Sequence, residues 1–298
     1  MTTRTSIIIP VKNASKYIKH TIDSIGTQAH KDLIDLEFLY AESGDNTLEL
    51  IKIAAIENNL NFNIHFEEKL YLTSLNKLVL QIKNPCFTFF CCSDEYINDD
   101  FLSNACDILF RNEEISFVHS DVLACNSRGS SRIRPGMNHR SIFKGAGAGR
   151  FYANISLLNE IMADLATVFR TSTVLQLLQA YTRNGSNKSN TFGEITIALF
   201  ASGCIGHYID RFSVIGHDHE DSLTNNIVNR PNLSWGILCS KLVKKLSFWI
   251  ESEGFKWRDS NLVPFTYKKQ NELRTEYYSQ RDLILRIARR NHGWEGSL

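Results

Sequence analysis

Two adjacent carboxylates, Asp94 and Glu95, follow an apolar stretch at residues 87–91 that is typical of a buried strand. Carboxylate oxygens at a strand end suit a hard divalent cation such as Mg²⁺ or Mn²⁺, which is often shared with substrate phosphates. The same acids could instead begin a helix, because acidic side chains near a helix start interact favourably with its dipole. The pattern leaves both interpretations open.

A second polar cluster surrounds His217 and His219, with acids at Asp218, Glu220 and Asp221. A His-x-His pair can ligate a transition metal, and a solvated loop is the alternative interpretation. Cys91 and Cys92 are not expected to be nucleophiles. Both follow an apolar strand, and the sequence shows no side chain that would orient or activate them.

Apolar stretches alternate with amphipathic helical patterns over the first 109 residues. Strands are predicted at residues 6–11, 36–40, 63–66 and 87–91, and helices near residues 18–25, 47–55, 73–82 and 101–109. Alternation of this kind predicts an α/β fold with a mostly parallel sheet. Ligands of such sheets bind outside the carboxyl ends of the strands. We therefore expect the loops that begin at Pro10, Glu42 and Asp94 to form one crevice.

The remainder of the chain has weaker patterns. Residues 127–151 are rich in Gly, Ser and Arg and are predicted to be a loop, without the strand and helix context of a phosphate-binding P-loop. A strand is predicted at residues 165–170, and helices at residues 171–181, 194–201, 237–250 and 278–290.

Composition excludes several classes of protein. The 298 residues carry 33 basic and 32 acidic side chains, a net charge of +1, which argues against a general nucleic-acid binder. No apolar run approaches the ~20 residues that span a bilayer. The first residues lead into a short strand instead of a signal-peptide core, and the seven cysteines form no CxxC pair. A cytoplasmic protein with reduced thiols is expected.

The C-terminal part differs in charge from the rest. From Lys241 onward there are 12 basic and 7 acidic side chains, and Arg281, Arg286, Arg289 and Arg290 stand among apolar residues. A basic amphipathic helix can lie on an anionic membrane surface. The interpretation that we favour is a helix that packs on the rest of the protein with its arginines in water. The first interpretation would place the protein peripherally at the inner face of the membrane.

The sequence resembles the family 2 glycosyltransferases of the GT-A fold. The resemblance rests on motifs in the family's order, at residues 6–18, 42–47, 76–77, 93–95, 98–102, 193–194 and 219–224. It implies a Rossmann-like α/β fold with a mostly parallel sheet flanked by helices, in a catalytic domain of residues 1–225. The nucleotide-sugar half would cover about residues 1–125 and the acceptor half residues 126–225, followed by a helical extension at residues 226–298.

The same resemblance implies transfer of a sugar from a nucleotide-sugar donor to a saccharide or lipid-linked saccharide, with inversion. The context would be synthesis of bacterial-type surface polysaccharides or glycoconjugates. Glu194 would be the general base, and Mg²⁺ or Mn²⁺ would bind at Asp94, Glu95 and His219. The residues implied for donor binding are Pro10, Val11, Asn13, Glu42, Asn76, Lys77, Ser93 and Asp94.

The sequence departs from the family pattern at three places. Cys92 stands where the family usually has Asp, Ile195 replaces the second acid of the base motif, and the loop at Glu42 is one residue short. These departures keep open a nucleotide-sugar-binding protein without catalysis. A sugar nucleotidyltransferase is a further alternative. Such enzymes usually have a glycine-rich loop after the first strand, whereas residues 11–15 contain no glycine.

Overall fold

The computed structural model describes residues 4–68, 78, 87–98, 100–126, 131–133, 149–152, 166–175 and 205–219. Its helices include α1 (Ile18–Gly26), α2 (Thr47–Glu57) and α3 (Phe101–Arg111), with a short 3₁₀ turn at Lys31–Leu33. Residues 171–175 are helical as well, within the helix predicted at residues 171–181. Its strands are β1 (Thr5–Val11), β2 (Ile34–Ala41), β3 (Asn61–Glu67), β4 (Phe87–Phe90), β5 (Glu95–Ile97), β6 (Ile115–Asn126), β7 (Ser131–Ile133), β8 (Gly149–Tyr152), β9 (Thr167–Arg170) and β10 (Ile205–Asp218). Within these segments, no helix combines the length and apolar character needed to cross a membrane.

The strands form one sheet in the order β3-β2-β1-β4-β9-β6-β10-β5, with β7 added beside β6 and β8 beside β10. Strands β3, β2, β1 and β4 are all parallel, as the alternation of strands and helices predicts. Strand β9 then inserts between β4 and β6 in the antiparallel direction, and β6 pairs in parallel with β10. The predicted loop at residues 127–151 is wrong in part, because β7 lies inside it and β8 begins within its last three residues.

The core lies between the parallel strands and the helices on one of their faces. Alternate residues of β1, Ile7, Ile9 and Val11, pack with Ile18 and Ile22 of α1, and all five are fully buried. Strand positions two apart share a face, as do helix positions four apart, so both patterns bring apolar side chains to the same layer. Burying one such side chain stabilises the fold by about 1.5–3 kcal/mol.

Polar contacts hold the C-terminal half of α1 against the segment after β5. The Ser24 hydroxyl accepts a hydrogen bond from the amide of Ile97 at 3.1 Å. The buried Gln28 side chain donates to the carbonyl of Asn98 at 2.8 Å and accepts from the amide of Leu102 at 3.3 Å. Helix α1 therefore fixes the position of β5, which begins directly after Asp94.

We expect Gly26→Ala to destabilise the protein, because the side chain of Asn58 occupies the space beside Gly26. An added Cβ would lie 2.1 Å from Oδ1 and 2.8 Å from Cβ of Asn58. Asn58 donates to Asp23 and to the Ala54 carbonyl, so its displacement would break those bonds. A loss of about 1–3 kcal/mol is expected from denaturant unfolding.

The matched control for this substitution is Gly44→Ala. Nothing lies within 4 Å of a Cβ built on Gly44. We expect its free energy of unfolding to stay within about 0.5 kcal/mol of wild type. Equal stabilities of the two variants would contradict the packing described for Asn58.

Candidate functional site

The loops that follow β1, β2 and β4 meet at one edge of the sheet. In the parallel register Val11 lies opposite Tyr40, and Ile8 lies opposite Phe90. The amide of Cys91 donates to the carbonyl of Ile8 at 3.0 Å, which extends the β1–β4 pairing by one step. Strands β1 and β2 therefore end nearly together, and β4 ends about three residues earlier, opposite Ile8. The loops after all three strands leave the carboxyl ends of neighbouring parallel strands, where ligands of such sheets bind.

Hydrogen bonds join the first two loops directly. The amide of Asn13 donates to Oγ of Ser43, and the amide of Gly44 donates to Oδ1 of Asn13, both at 3.0 Å. The buried amide of Ala14 donates to Oγ1 of Thr47 at 2.8 Å. Asn13 has a φ of 49°, a left-handed conformation that asparagine tolerates better than most residues. The exposed Asn13 predicted to bind the donor thus also shapes the crevice.

Asp45 completes this connection between the loops. Its carboxylate accepts hydrogen bonds from the amides of Ser15 and Thr47 and from the Thr47 hydroxyl. Partial burial acts to raise the pKa of Asp45, but the hydrogen bonds from Thr47 and Ser15 outweigh it and lower the pKa below its ordinary value of 3.8. Its contribution to stability is therefore present above pH 3.8 and is lost as the pH falls through the lower folded-state pKa.

Thr47→Val is expected to weaken this connection. Valine has nearly the same shape as threonine, but it leaves the buried Ala14 amide without the oxygen that it contacts in wild type. An unsatisfied buried donor costs about 1–3 kcal/mol, which unfolding in urea would measure. Thr47→Ser keeps the oxygen and is the control. A valine variant as stable as the serine variant would contradict the role of this hydroxyl.

Asp94, His219 and Tyr17 come together where the third loop meets the end of β10. Nε2 of His219 lies 3.0 Å from Oδ2 of Asp94. The two side chains are 14% and 22% exposed, so the pair is reachable from solvent but mostly enclosed. The ring of Tyr17 stacks on the imidazole, with ring centroids 4.5 Å apart and planes inclined by 30°.

The sheet explains how residues so distant in sequence meet. Strands β5 and β10 are antiparallel, with Glu95 opposite Gly216, so the chain after Gly216 runs beside the chain before Glu95. His219 consequently returns to the turn that holds Asp94. Tyr17 reaches the same place because α1 begins at this edge of the sheet. The pattern predicted a helix starting near Ile18, but nothing in the sequence linked Tyr17 to His219.

Glu95, predicted as a metal ligand, is turned toward the protein interior. Its side chain is buried, with the residue 3% exposed, and Oε2 accepts a hydrogen bond from the amide of Cys92 at 2.9 Å. Burial, together with the charges of Glu95 and Asp94, raises the pKa of the Cys91 thiol well above its ordinary value. This thiol is therefore protonated at neutral pH, in keeping with the expectation that it is no nucleophile.

The other predicted site residues fall into three groups. Pro10 and Ser93 are half-buried and Glu42 is exposed, all at the site edge of the sheet, whereas the Val11 side chain belongs to the core and leaves only its backbone for a ligand. Asn76, Lys77 and Glu194 lie outside the described residues, as does the predicted extension at residues 226–298. Their assignments stay predictions.

The donor set at Asp94 and His219 fits a cation that takes few ligands from the protein. Among the residues that the structure describes, no three His, Cys, Asp or Glu side chains form a group able to hold a metal ion. One carboxylate and one imidazole suit Mn²⁺, and a carboxylate alone suits Mg²⁺, when phosphate oxygens and water supply the remaining ligands.

Similar proteins are found by structure and not by sequence. No family profile matches this chain, and no curated protein matches it. The structure is similar to S. aureus TarS 1–349 in complex with UDP-GlcNAc, with a TM-score of 0.57 and 16% identity, covering 92% of this chain and 79% of that one. For TarS 1–349 in complex with UDP the TM-score is 0.55 and the identity 15%, with the same coverage.

A longer TarS chain matches with a TM-score of 0.55 and 15% identity, and this chain covers 48% of its length. At such low identity the similarity concerns the fold alone. It confirms the predicted Rossmann-like α/β fold of the GT-A type.

Proposed function

We propose that this protein is a glycosyltransferase that moves a sugar from a nucleoside-diphosphate sugar to an acceptor hydroxyl. The proposal rests on one observation. The Asp94–His219 pair lies at the carboxyl ends of the strands, as do the loops after β1 and β2, which are joined by hydrogen bonds. The similarity of the fold to TarS structures that contain UDP and UDP-GlcNAc supports a donor of this class. UDP-GlcNAc is accordingly the first donor to test.

The arrangement suits a diphosphate. Helices α1 and α2 both begin at this edge, so the positive ends of their dipoles favour an anion there. The backbone at Pro10 and Val11 and the exposed carboxylate of Glu42 lie on the first two loops, where hydrogen bonds to a nucleoside can form. Asn13, Asn76, Lys77 and Ser93 complete the proposed donor site.

The reaction proposed is a single displacement. The acceptor oxygen forms a bond to the anomeric carbon while the bond from that carbon to the phosphate oxygen breaks, and the nucleoside diphosphate leaves. We assign Glu194 as the general base that takes the acceptor proton, by the resemblance at residues 193–194. Attack from the face opposite the leaving group inverts the anomeric centre.

A divalent cation fits the donor set described for Asp94 and His219. When bound, Mg²⁺ or Mn²⁺ would neutralise the charge that develops on the departing diphosphate. Glu95 accepts a hydrogen bond from the amide of Cys92, so we assign to Glu95 the role of shaping the turn. We assign to Asp94 the role of contacting the cation.

The biological setting follows from the same proposal. An acceptor saccharide, free or lipid-linked, would belong to synthesis of surface polysaccharides or glycoconjugates in the cytoplasm. The basic residues at Arg281 to Arg290 would allow peripheral contact with an anionic membrane. Residues 1–225 would form the catalytic domain and residues 226–298 the extension.

The proposal is tested by measuring release of nucleoside diphosphate from UDP-, GDP-, CDP- and dTDP-sugars, with Mn²⁺ and a panel of saccharide acceptors. Acceptor-dependent release from one donor class is the expected result. Binding of one nucleotide without turnover of any donor would favour the non-catalytic alternative. No binding and no release with any donor would overturn the proposal.

A further inference from the structure

Tyr17 stands directly before α1 and contacts the pair at the centre of the site. Its ring lies over the imidazole of His219 at a centroid distance of 4.5 Å, and Nε2 of that imidazole lies 3.0 Å from Asp94. Tyr17, His219 and Asp94 therefore form a line of contacts that joins three segments far apart in sequence. Stacking at this distance and angle is a favourable arrangement for two aromatic rings.

The position of Tyr17 is itself fixed by its neighbours. Its amide donates to the carbonyl of Ala14 at 3.0 Å, and its carbonyl accepts from the amide of Thr21 at 3.2 Å, which anchors it to the first turn of α1. The amide of Ala14 is in turn held by Thr47. His219, by contrast, is the first residue beyond β10, where the sheet no longer sets the direction of its side chain.

We propose that Tyr17 is a positioning residue for His219. By covering one face of the imidazole, it sets the plane of the ring so that Nε2 faces Asp94, and it thereby orients the carboxylate toward the donor diphosphate. Side chains that orient a ligating or charged group commonly matter for function without touching the reacting atoms. The expected effect on turnover rests on the proposed function. The contact between the two rings is independent of that function.

The first test reads the geometry without any donor or metal. Proton and nitrogen resonances of the His219 imidazole are compared in wild type, Tyr17→Phe and Tyr17→Ala. We expect the phenylalanine variant to keep the ring-current shift and the Nε2 hydrogen-bond signature, and the alanine variant to lose both. His20→Ala, which removes an exposed imidazole on α1, is the control. Unchanged His219 resonances in Tyr17→Ala would overturn the proposal.

The second test is a double-mutant cycle on turnover. Tyr17→Ala should lower kcat about tenfold, and Tyr17→Phe should recover most of that loss. In a His219→Ala background, Tyr17→Ala should have little further effect, because the residue through which Tyr17 acts is already absent. Additive losses, or a phenylalanine variant as slow as the alanine variant, would overturn the proposal.

Two further outcomes need to be distinguished: a variant that does not fold, and a wild-type protein that transfers no sugar. If Tyr17→Ala does not fold, Tyr17→Leu keeps apolar volume but no ring, and the same resonances and kcat values decide the question. If the wild-type protein transfers no sugar from any donor, the proposed function fails. The resonance comparison still shows whether Tyr17 sets the orientation of His219.

Discussion

We expect Asp94→Asn to lower sugar transfer by at least about 10²-fold with the protein still folded, because the substitution removes one negative charge and keeps the shape of the side chain. The carboxylate is 22% exposed and lies 3.0 Å from Nε2 of His219. An asparagine oxygen can still accept a hydrogen bond there, so the turn should persist. The charge that would hold a cation against the diphosphate is lost.

The matched control is Asp107→Asn on α3. This carboxylate is 70% exposed and lies 3.7 Å from the guanidinium of Arg111 in the same helix. Its variant should transfer sugar at the wild-type rate, since an exposed pair of this kind contributes little. Full activity of Asp94→Asn, with the true donor and Mn²⁺ present, would remove Asp94 from the mechanism.

We expect Glu194→Gln to lower turnover by about 10²–10⁴-fold and to leave donor binding within about twofold of wild type. Glutamine cannot take the proton from the acceptor hydroxyl, but it occupies the same volume. Because the acceptor proton is removed only in the chemical step, kcat should fall while the dissociation constant of the nucleotide does not change. Single-turnover measurements of transfer, paired with calorimetric binding of the nucleoside diphosphate, separate the two quantities.

The control for this variant is Glu49→Gln, an exposed carboxylate in the first turn of α2. It should leave both quantities unchanged. Wild-type turnover in Glu194→Gln would show that another group takes the proton. A parallel loss of nucleotide binding would instead assign Glu194 to the donor site.

The parallel half of the fold can be predicted from local pattern because each of its elements carries its own signal. Residues of β1 are mostly apolar and largely β-branched, and Ile18, Ile22 and Ile25 repeat at helical spacing. The register then follows from the short connections between strands and helices. Strands β6 and β10 were not predicted. They interleave polar and charged residues with apolar ones, and their position depends on pairing with distant strands.

The location of the candidate site could be predicted from the sequence, because it lies where the carboxyl ends of neighbouring strands meet, but the orientation of its side chains could not. Asp94 and the loops after β1 and β2 could be assigned to one edge from the order of the elements alone. The inward orientation of Glu95 could not be predicted, because its carboxylate accepts a hydrogen bond from the amide of Cys92 that no local pattern indicates. The contact between Tyr17 and His219 depends on the antiparallel pairing of β5 with β10, to which no local signal points.

Calorimetric titration of UDP, GDP, CDP and dTDP, with and without Mn²⁺, is the most direct measurement of whether the edge around Asp94 binds a donor diphosphate. One nucleotide should bind the wild-type protein in a Mn²⁺-dependent manner, and Asp94→Asn should lose the dependence on Mn²⁺ while Asp107→Asn keeps it. Binding of no nucleotide, or binding that neither Mn²⁺ nor Asp94→Asn alters, would contradict the proposed site.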